Sequence, residues 1–204
     1  IKKISIFPVS NSPIRTMPLR VLKHLINFLK KNFILEVYLD NNSEISNLLF
    51  KNIKSEDIVI INSKDPEELI KNIKNIEYGI FMDSGPLHVA KLFNKDGILI
   101  ESTVSAKILL HKYQRIKIIN NNYVSSYCKS PCGLTDLFNY NNEIGCYNTL
   151  KLNHLKVKNN NLFHFMGRRG VKNKYPNFIE KPVGCLKSIN VQDILNYIKK
   201  DLSL

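Results

Sequence analysis

Up to about Asn120 the chain alternates short apolar runs with amphipathic stretches, and few folds accommodate that rhythm. Ile4 to Phe7 is an apolar run stopped by Pro8, which predicts a first strand. Pro18 to Asn32 then places Val21, Leu22, Leu25, Phe28 and Leu29 on one helical face. Arg20, Lys23, His24, Asn27 and Lys31 fall opposite. Further strands are predicted at Ile34 to Leu39, Asp57 to Ile61, Tyr78 to Met82, Gly97 to Ile100 and Ile116 to Ile119. Helices are predicted at Ser43 to Asn52, Asp65 to Ile73 and Pro86 to Phe93. The run Ile58-Val59-Ile60-Ile61 suits a strand covered on both faces. Strand and helix in strict succession imply a doubly wound α/β domain with a parallel sheet, at residues 1–125. The 204 residues suffice for one such domain but not for two large ones.

Beyond Asn120 the pattern dissolves. Asn120 to Asn122, Asn139 to Asn142 and Asn159 to Asn161 read as loops, so residues 126–204 are expected to form an irregular extension packed on the same domain. At the end Asn190 can cap a helix, with Asp193 as its capping partner. Val191, Ile194, Leu195 and Ile198 form that helix's apolar stripe.

In a doubly wound sheet, ligands bind beyond the carboxyl ends of the strands, where chain order reverses. With strand one central, the loops after strands one and four meet there. The loop from Pro8 to Pro18 offers Ser10, Asn11, Ser12 and the fixed charge of Arg15. A guanidinium can clamp two phosphate oxygens at once. The loop Asp83-Ser84-Gly85-Pro86-Leu87-His88 opens a helix, since Pro86 suits a first turn and Ser84 or Gly85 can cap it. Its free N–H groups and positive dipole end favour a phosphate, and Gly85 allows close approach. Together these loops can cradle a diphosphate. The chain carries neither G-x-G-x-x-G after strand one nor G-x-x-x-x-G-K-[ST], which argues against an NAD site and a P-loop.

The segment Phe81-Met82-Asp83-Ser84-Gly85-Pro86-Leu87-His88-Val89-Ala90-Lys91 closely resembles the Asp-Thr-Gly-x-x-His-x-Ala signature of the ADP-heptose:lipopolysaccharide heptosyltransferases. Ser10 to Pro18 resembles that family's loop after the first strand of its C-terminal domain. Arg15 stands where the family has Lys, and Met17 where it has Trp. The resemblance covers most of residues 1–125, and more faintly Cys128 to Leu150 and Cys185 onward.

It implies the nucleotide-sugar-binding half of a GT-B fold and an inverting, metal-independent transfer of a heptose-like sugar. The donor would be an ADP-sugar and the acceptor a lipopolysaccharide core or related glycan. Ser10, Asn11 and Arg15 would contact the diphosphate, and Asp83, Ser84, Gly85 and His88 would surround the phosphates and sugar. Glu44, just after strand two, would accept hydrogen bonds from the ribose. The family keeps its catalytic carboxylate in an N-terminal domain, so no base is expected in this sequence. Arg15 would stabilise the leaving diphosphate. The chain opens at Ile1, not Met, and is expected to be a piece of a longer protein. The alternative is a nucleotide-binding module that catalyses nothing.

The formal net charge is +13. An anionic partner would account for it, but the lysines are scattered and Lys, Asn and Ile are abundant throughout, which favours compositional drift. No basic stripe interleaved with aromatics suggests a nucleic-acid groove. No apolar run is long enough for a membrane span, and none reads as a signal peptide. A cytoplasmic chain with weak attraction to the inner membrane surface is therefore expected. Cys128, Cys132, Cys146 and Cys185 have spacings unlike a standard zinc ribbon and are expected as reduced thiols. His24, His111, His154 and His164 lack partners at metal spacing. Met166 to Gly170 reads as a solvated basic turn. Tyr123, Tyr127, Phe138 and Tyr140 could line a cleft or simply pack.

Overall fold

The computed structural model describes residues 2–40, 43–153, 164–165 and 177–203. Nine strands are described: β1 (Lys3–Phe7), β2 (Ile34–Leu39), β3 (Val59–Asn62), β4 (Tyr78–Phe81), β5 (Asp96–Ile100), β6 (Ile116–Ile119), β7 (Phe138–Tyr140), β8 (Glu143–Gly145) and β9 (His164–Phe165). The α-helices are α1 (Leu19–Leu29), α2 (Glu44–Ile53), α3 (Pro66–Lys74), α4 (Gly85–Leu92), α5 (Ala106–Leu110), α6 (Asn177–Glu180) and α7 (Val191–Leu202). Strands β1 to β6 form one parallel sheet in the order β3-β2-β1-β4-β5-β6. The order reverses at β1, so the switch point falls between β1 and β4, as the sequence implies.

Alternating side chains of β1 explain the two layers. Ile4 and Ile6 point into a core with Leu22 and Leu25 of α1, Leu49 of α2 and Ile194 and Ile198 of α7. Phe7 points to the other face, against Phe81 of β4, Ile73 of α3, Leu87 of α4 and Leu110 of α5. Each fully buried Leu, Ile or Phe contributes roughly 1.5–3 kcal/mol by leaving water. Tyr78 on β4 donates its hydroxyl to Asp201 of α7 at 2.7 Å, which fixes the last helix over the central strands. Gly79 and Gly97 face each other across β4 and β5, and a Cβ on Gly97 would collide with the Gly79 carbonyl.

The run at 58–61 packs on both faces, as expected: Ile58 and Ile60 meet one core and Ile61 the other, although Val59, at the start of this edge strand, is 48% exposed. Two expectations are corrected. A short helix, α5, bridges β5 and β6, where no helix was expected. The extension is less irregular than its sequence: β7, β8 and β9 form a small antiparallel sheet in the order β8-β7-β9. At α7 the Asn190 side chain does cap the helix, accepting from the Gln192 N–H at 3.0 Å.

The extension has its own small core of Leu134, Leu137, Phe138 and Phe178. Ile14, from the loop after β1, is buried in that core. The extension therefore braces one of the two loops at the switch point.

Candidate binding crevice at the switch point

Pro8 ends β1 because it cannot continue the hydrogen-bond ladder. The chain then turns back on itself, and the Met17 N–H donates to the Pro8 carbonyl at 2.8 Å. Inside the turn Thr16 is the hub. Its Oγ1 accepts from the Ser10 N–H at 3.0 Å and donates to the Ser12 carbonyl at 2.9 Å. Pro13–Arg15 forms one 3-10 turn, since Pro13 fixes its backbone angle and needs no N–H partner. Ser12 donates its hydroxyl to Asp136 of the extension at 2.7 Å. Thr16, Ser12 and Asp136 therefore shape this loop.

The loop after β4 begins at the buried Asp83 and starts α4. Ser84 holds the cap position in extended backbone, but its side chain does not cap the helix. Its hydroxyl donates instead to the Met82 carbonyl at 3.3 Å. Pro86 follows in the first turn, so that turn has one N–H fewer to satisfy. A Cβ on Gly85 would meet nothing within 4 Å. The protein's own packing does not demand glycine there, and open space lies in front of the helix start.

The two loops meet. Arg15 Nη1 lies 2.9 Å from Asp83 Oδ2, with the side chains 18% and 7% exposed. Arg15 thus has one nitrogen committed to Asp83, which holds the guanidinium at the edge of the crevice. Its Nε is buried with no hydrogen-bond partner among the described residues, and so is Ser10 Oγ. Such groups are unfavourable unless something else satisfies them.

Ser10, Arg15, Asp83, Ser84 and Gly85 therefore come from the two converging loops. Asn11 is exposed on the first loop. Glu44 is exposed at the first position of α2, beyond the carboxyl end of β2. His88 is exposed on α4, three residues past Gly85. Neither Glu44 nor His88 bonds to the two loops among the described residues. A cavity of about 250 Å³ lies to one side, beyond β5 and β6, lined in part by Glu101, Asn121, Tyr123 and Asp193. It is separate from Arg15 and Asp83.

The four cysteines share one neighbourhood in the extension. Burial pushes the Cys132 thiol up to about 11 and Cys185 up to about 12, and the other thiols raise both further. Cys128 is raised too, mainly by burial and also by Cys146. Thr149 donates its hydroxyl to Cys146 Sγ at 3.6 Å. Among the described residues, no group of three or more His, Cys, Asp or Glu side chains is arranged to hold a metal ion. Phe138 is buried in the extension's core, and Tyr123 donates to Asn148 at 2.7 Å, so both serve packing. His24 Nδ1 lies 2.7 Å from the Arg20 carbonyl of its own helix. His154 and Met166 to Gly170 lie outside the described residues.

A parallel sheet with a single reversal of order, helices on both faces and loops converging at the switch point defines a doubly wound, Rossmann-like α/β protein. The structure of E. coli heptosyltransferase WaaC with ADP-2-deoxy-2-fluoro heptose shares this fold at a TM-score of 0.50 and 8% identity, over 58% of this chain and 36% of that one. E. coli ADP-heptose lps heptosyltransferase II matches at 0.49 and 13% identity, over 61% and 39%. The iron-containing dodecameric glycosyltransferase TibC from enterotoxigenic E. coli matches at 0.47 and 14% identity, over 99% of this chain and 47% of that one. This chain spans less than half the length of each of these neighbours. No family model and no curated protein matches the sequence.

Proposed function

We propose that this chain is the donor-binding half of an inverting glycosyltransferase, which moves a heptose-like sugar from an ADP-sugar to a lipopolysaccharide core or related glycan. One observation carries the reading: the Arg15–Asp83 contact at 2.9 Å, which joins the loops after β1 and β4 at the switch point. Arg15, Ser10 and Asn11 bind the diphosphate from one side. Ser84 and Gly85 bind it from the other with the backbone N–H groups of a helix start. Glu44 accepts from the ribose, and Asp83 and His88 flank the sugar.

As the sugar–phosphate bond breaks, negative charge grows on the diphosphate. Arg15 and the α4 dipole stand where it grows, so this half stabilises the leaving group without a divalent metal. The base that deprotonates the acceptor hydroxyl belongs to a partner domain. The matched WaaC structure holds an ADP-sugar analogue, which agrees with this class of donor. The reading places the chain in the cytoplasm, at or near the inner membrane where such acceptors are built.

Calorimetry with ADP and ADP-heptose in EDTA tests the proposal. Saturable binding of both is expected. Heat only with duplex or single-stranded DNA, falling steeply with salt, would overturn it.

A further inference from the structure

Four buried side-chain atoms have no hydrogen-bond partner among the described residues: Ser10 Oγ, Arg15 Nε, Ser102 Oγ and Thr103 Oγ1. Their location is ordered. The first two lie in the loop after β1, and the last two in the loop after β5. Those strands flank β4 on either side. Phe7 pairs with Phe81, and Phe81 with Leu99, so the loops after these three strands all leave the same, carboxyl, edge of the sheet.

The loop after β5 is held rigidly by its backbone. Glu101 accepts the Ala106 N–H at 2.9 Å and the Asn121 N–H at 3.2 Å, one on each carboxylate oxygen. The Ser102 carbonyl accepts the Ser130 hydroxyl at 2.7 Å, and the Thr103 carbonyl accepts the Gly133 N–H at 2.7 Å. Two hydroxyls of this loop have no partner among the described residues, and their residues are only 1% and 2% exposed. A buried hydroxyl left alone is unfavourable. Two such groups on a braced loop, at the same carboxyl edge of the sheet as the proposed phosphate site, fit a ligand contact better than a packing fault.

We propose that Ser102 and Thr103 recognise the hydroxyl groups of the transferred sugar. This rests on the donor reading above. A hydroxyl both donates and accepts, which matches a polyol. A diphosphate only accepts, and Arg15 and the α4 start already serve it. The one carboxylate of the loop, Glu101, has both oxygens occupied. Both residues are buried, so contact with a sugar requires each side chain to turn outward.

The test is calorimetry on the full chain with two probes, ADP and ADP-heptose. Variants Ser102→Ala, Thr103→Val and the pair are compared with the parent and with the conservative Thr103→Ser. ADP should bind all of them within about twofold of the parent. ADP-heptose should weaken about 3- to 10-fold for each hydroxyl removed, the range for a neutral hydrogen bond. Thr103→Ser should keep parental affinity. An unchanged preference for ADP-heptose over ADP in the double variant would overturn the sugar contact while leaving the donor site standing. Equal weakening of both probes would overturn it too, by assigning the hydroxyls to the nucleotide or to stability. A parent that binds neither probe would defeat the donor reading itself, and this inference with it.

Discussion

Replacing Arg15 with Ala removes the one full positive charge that faces the crevice from the loop after β1. In the structure its Nη1 sits 2.9 Å from Asp83 Oδ2, in a pair whose side chains are 18% and 7% exposed. A charge-assisted contact of that kind to a diphosphate is worth about 1.5–3 kcal/mol. That corresponds to a roughly 10- to 150-fold rise in the ADP dissociation constant. Arg15→Lys keeps the charge but loses Nε and the planar fork, so its loss should fall between Ala and the parent. The Ala variant also leaves Asp83 buried without its partner, which costs about 1–3 kcal/mol of stability. Since 1 kcal/mol shifts the melting temperature by about 2–4 °C in a chain of this size, titrations belong well below the transition. Isothermal calorimetry at low temperature, with melting curves alongside, separates the two effects. Equal ADP affinity for Arg15→Ala and the parent would refute the reasoning and leave the guanidinium as a mere brace for Asp83.

Three further outcomes are expected. Asp83→Ala should weaken ADP-heptose binding more than it lowers stability, because it frees the guanidinium; a large fall in melting temperature at unchanged affinity would make Asp83 only a helix-start residue. Ile14→Ala should cost about 2–5 kcal/mol, as for other buried Ile truncations, and should weaken ADP as well, since Ile14 ties the loop after β1 to the extension's core. Paired denaturant melts and titrations check both halves of that claim. Cys132 and Cys185, raised to about 11 and about 12, should resist alkylation at pH 8 and react faster as pH climbs through those values. Folded-state values above the unfolded ones also mean that the thiols' contribution to stability is full below about pH 8.5. It is lost as pH rises toward 12, and rapid labelling of both at pH 8 would contradict the burial.

The features legible in sequence are those set by neighbours in the chain. Pro8 stops β1, Pro86 starts α4, and the apolar stripe of α1 follows from spacing alone. The order of reversal follows because parallel strands joined by helices have few arrangements. What sequence does not convey is set by distant partners. Arg15 and Asp83 are 68 residues apart, and Ser12 and Asp136 are 124 apart, yet each pair is in contact. The edge position of Val59 depends on which strand lies outermost, which an apolar run does not reveal. Strands of two or three residues, as in β7 to β9, are too short to show a period. Ser102 and Thr103 read as ordinary loop hydroxyls until their burial and lack of partners are seen.

The most direct measurement is a crystal structure of the chain grown with ADP-heptose. The two phosphates should lie between the Arg15 guanidinium and the backbone N–H groups of Ser84 and Gly85, with the ribose toward Glu44. A nucleotide bound elsewhere, such as the cavity beyond β5 and β6, with the crevice between Arg15 and Gly85 left unfilled, would contradict the account.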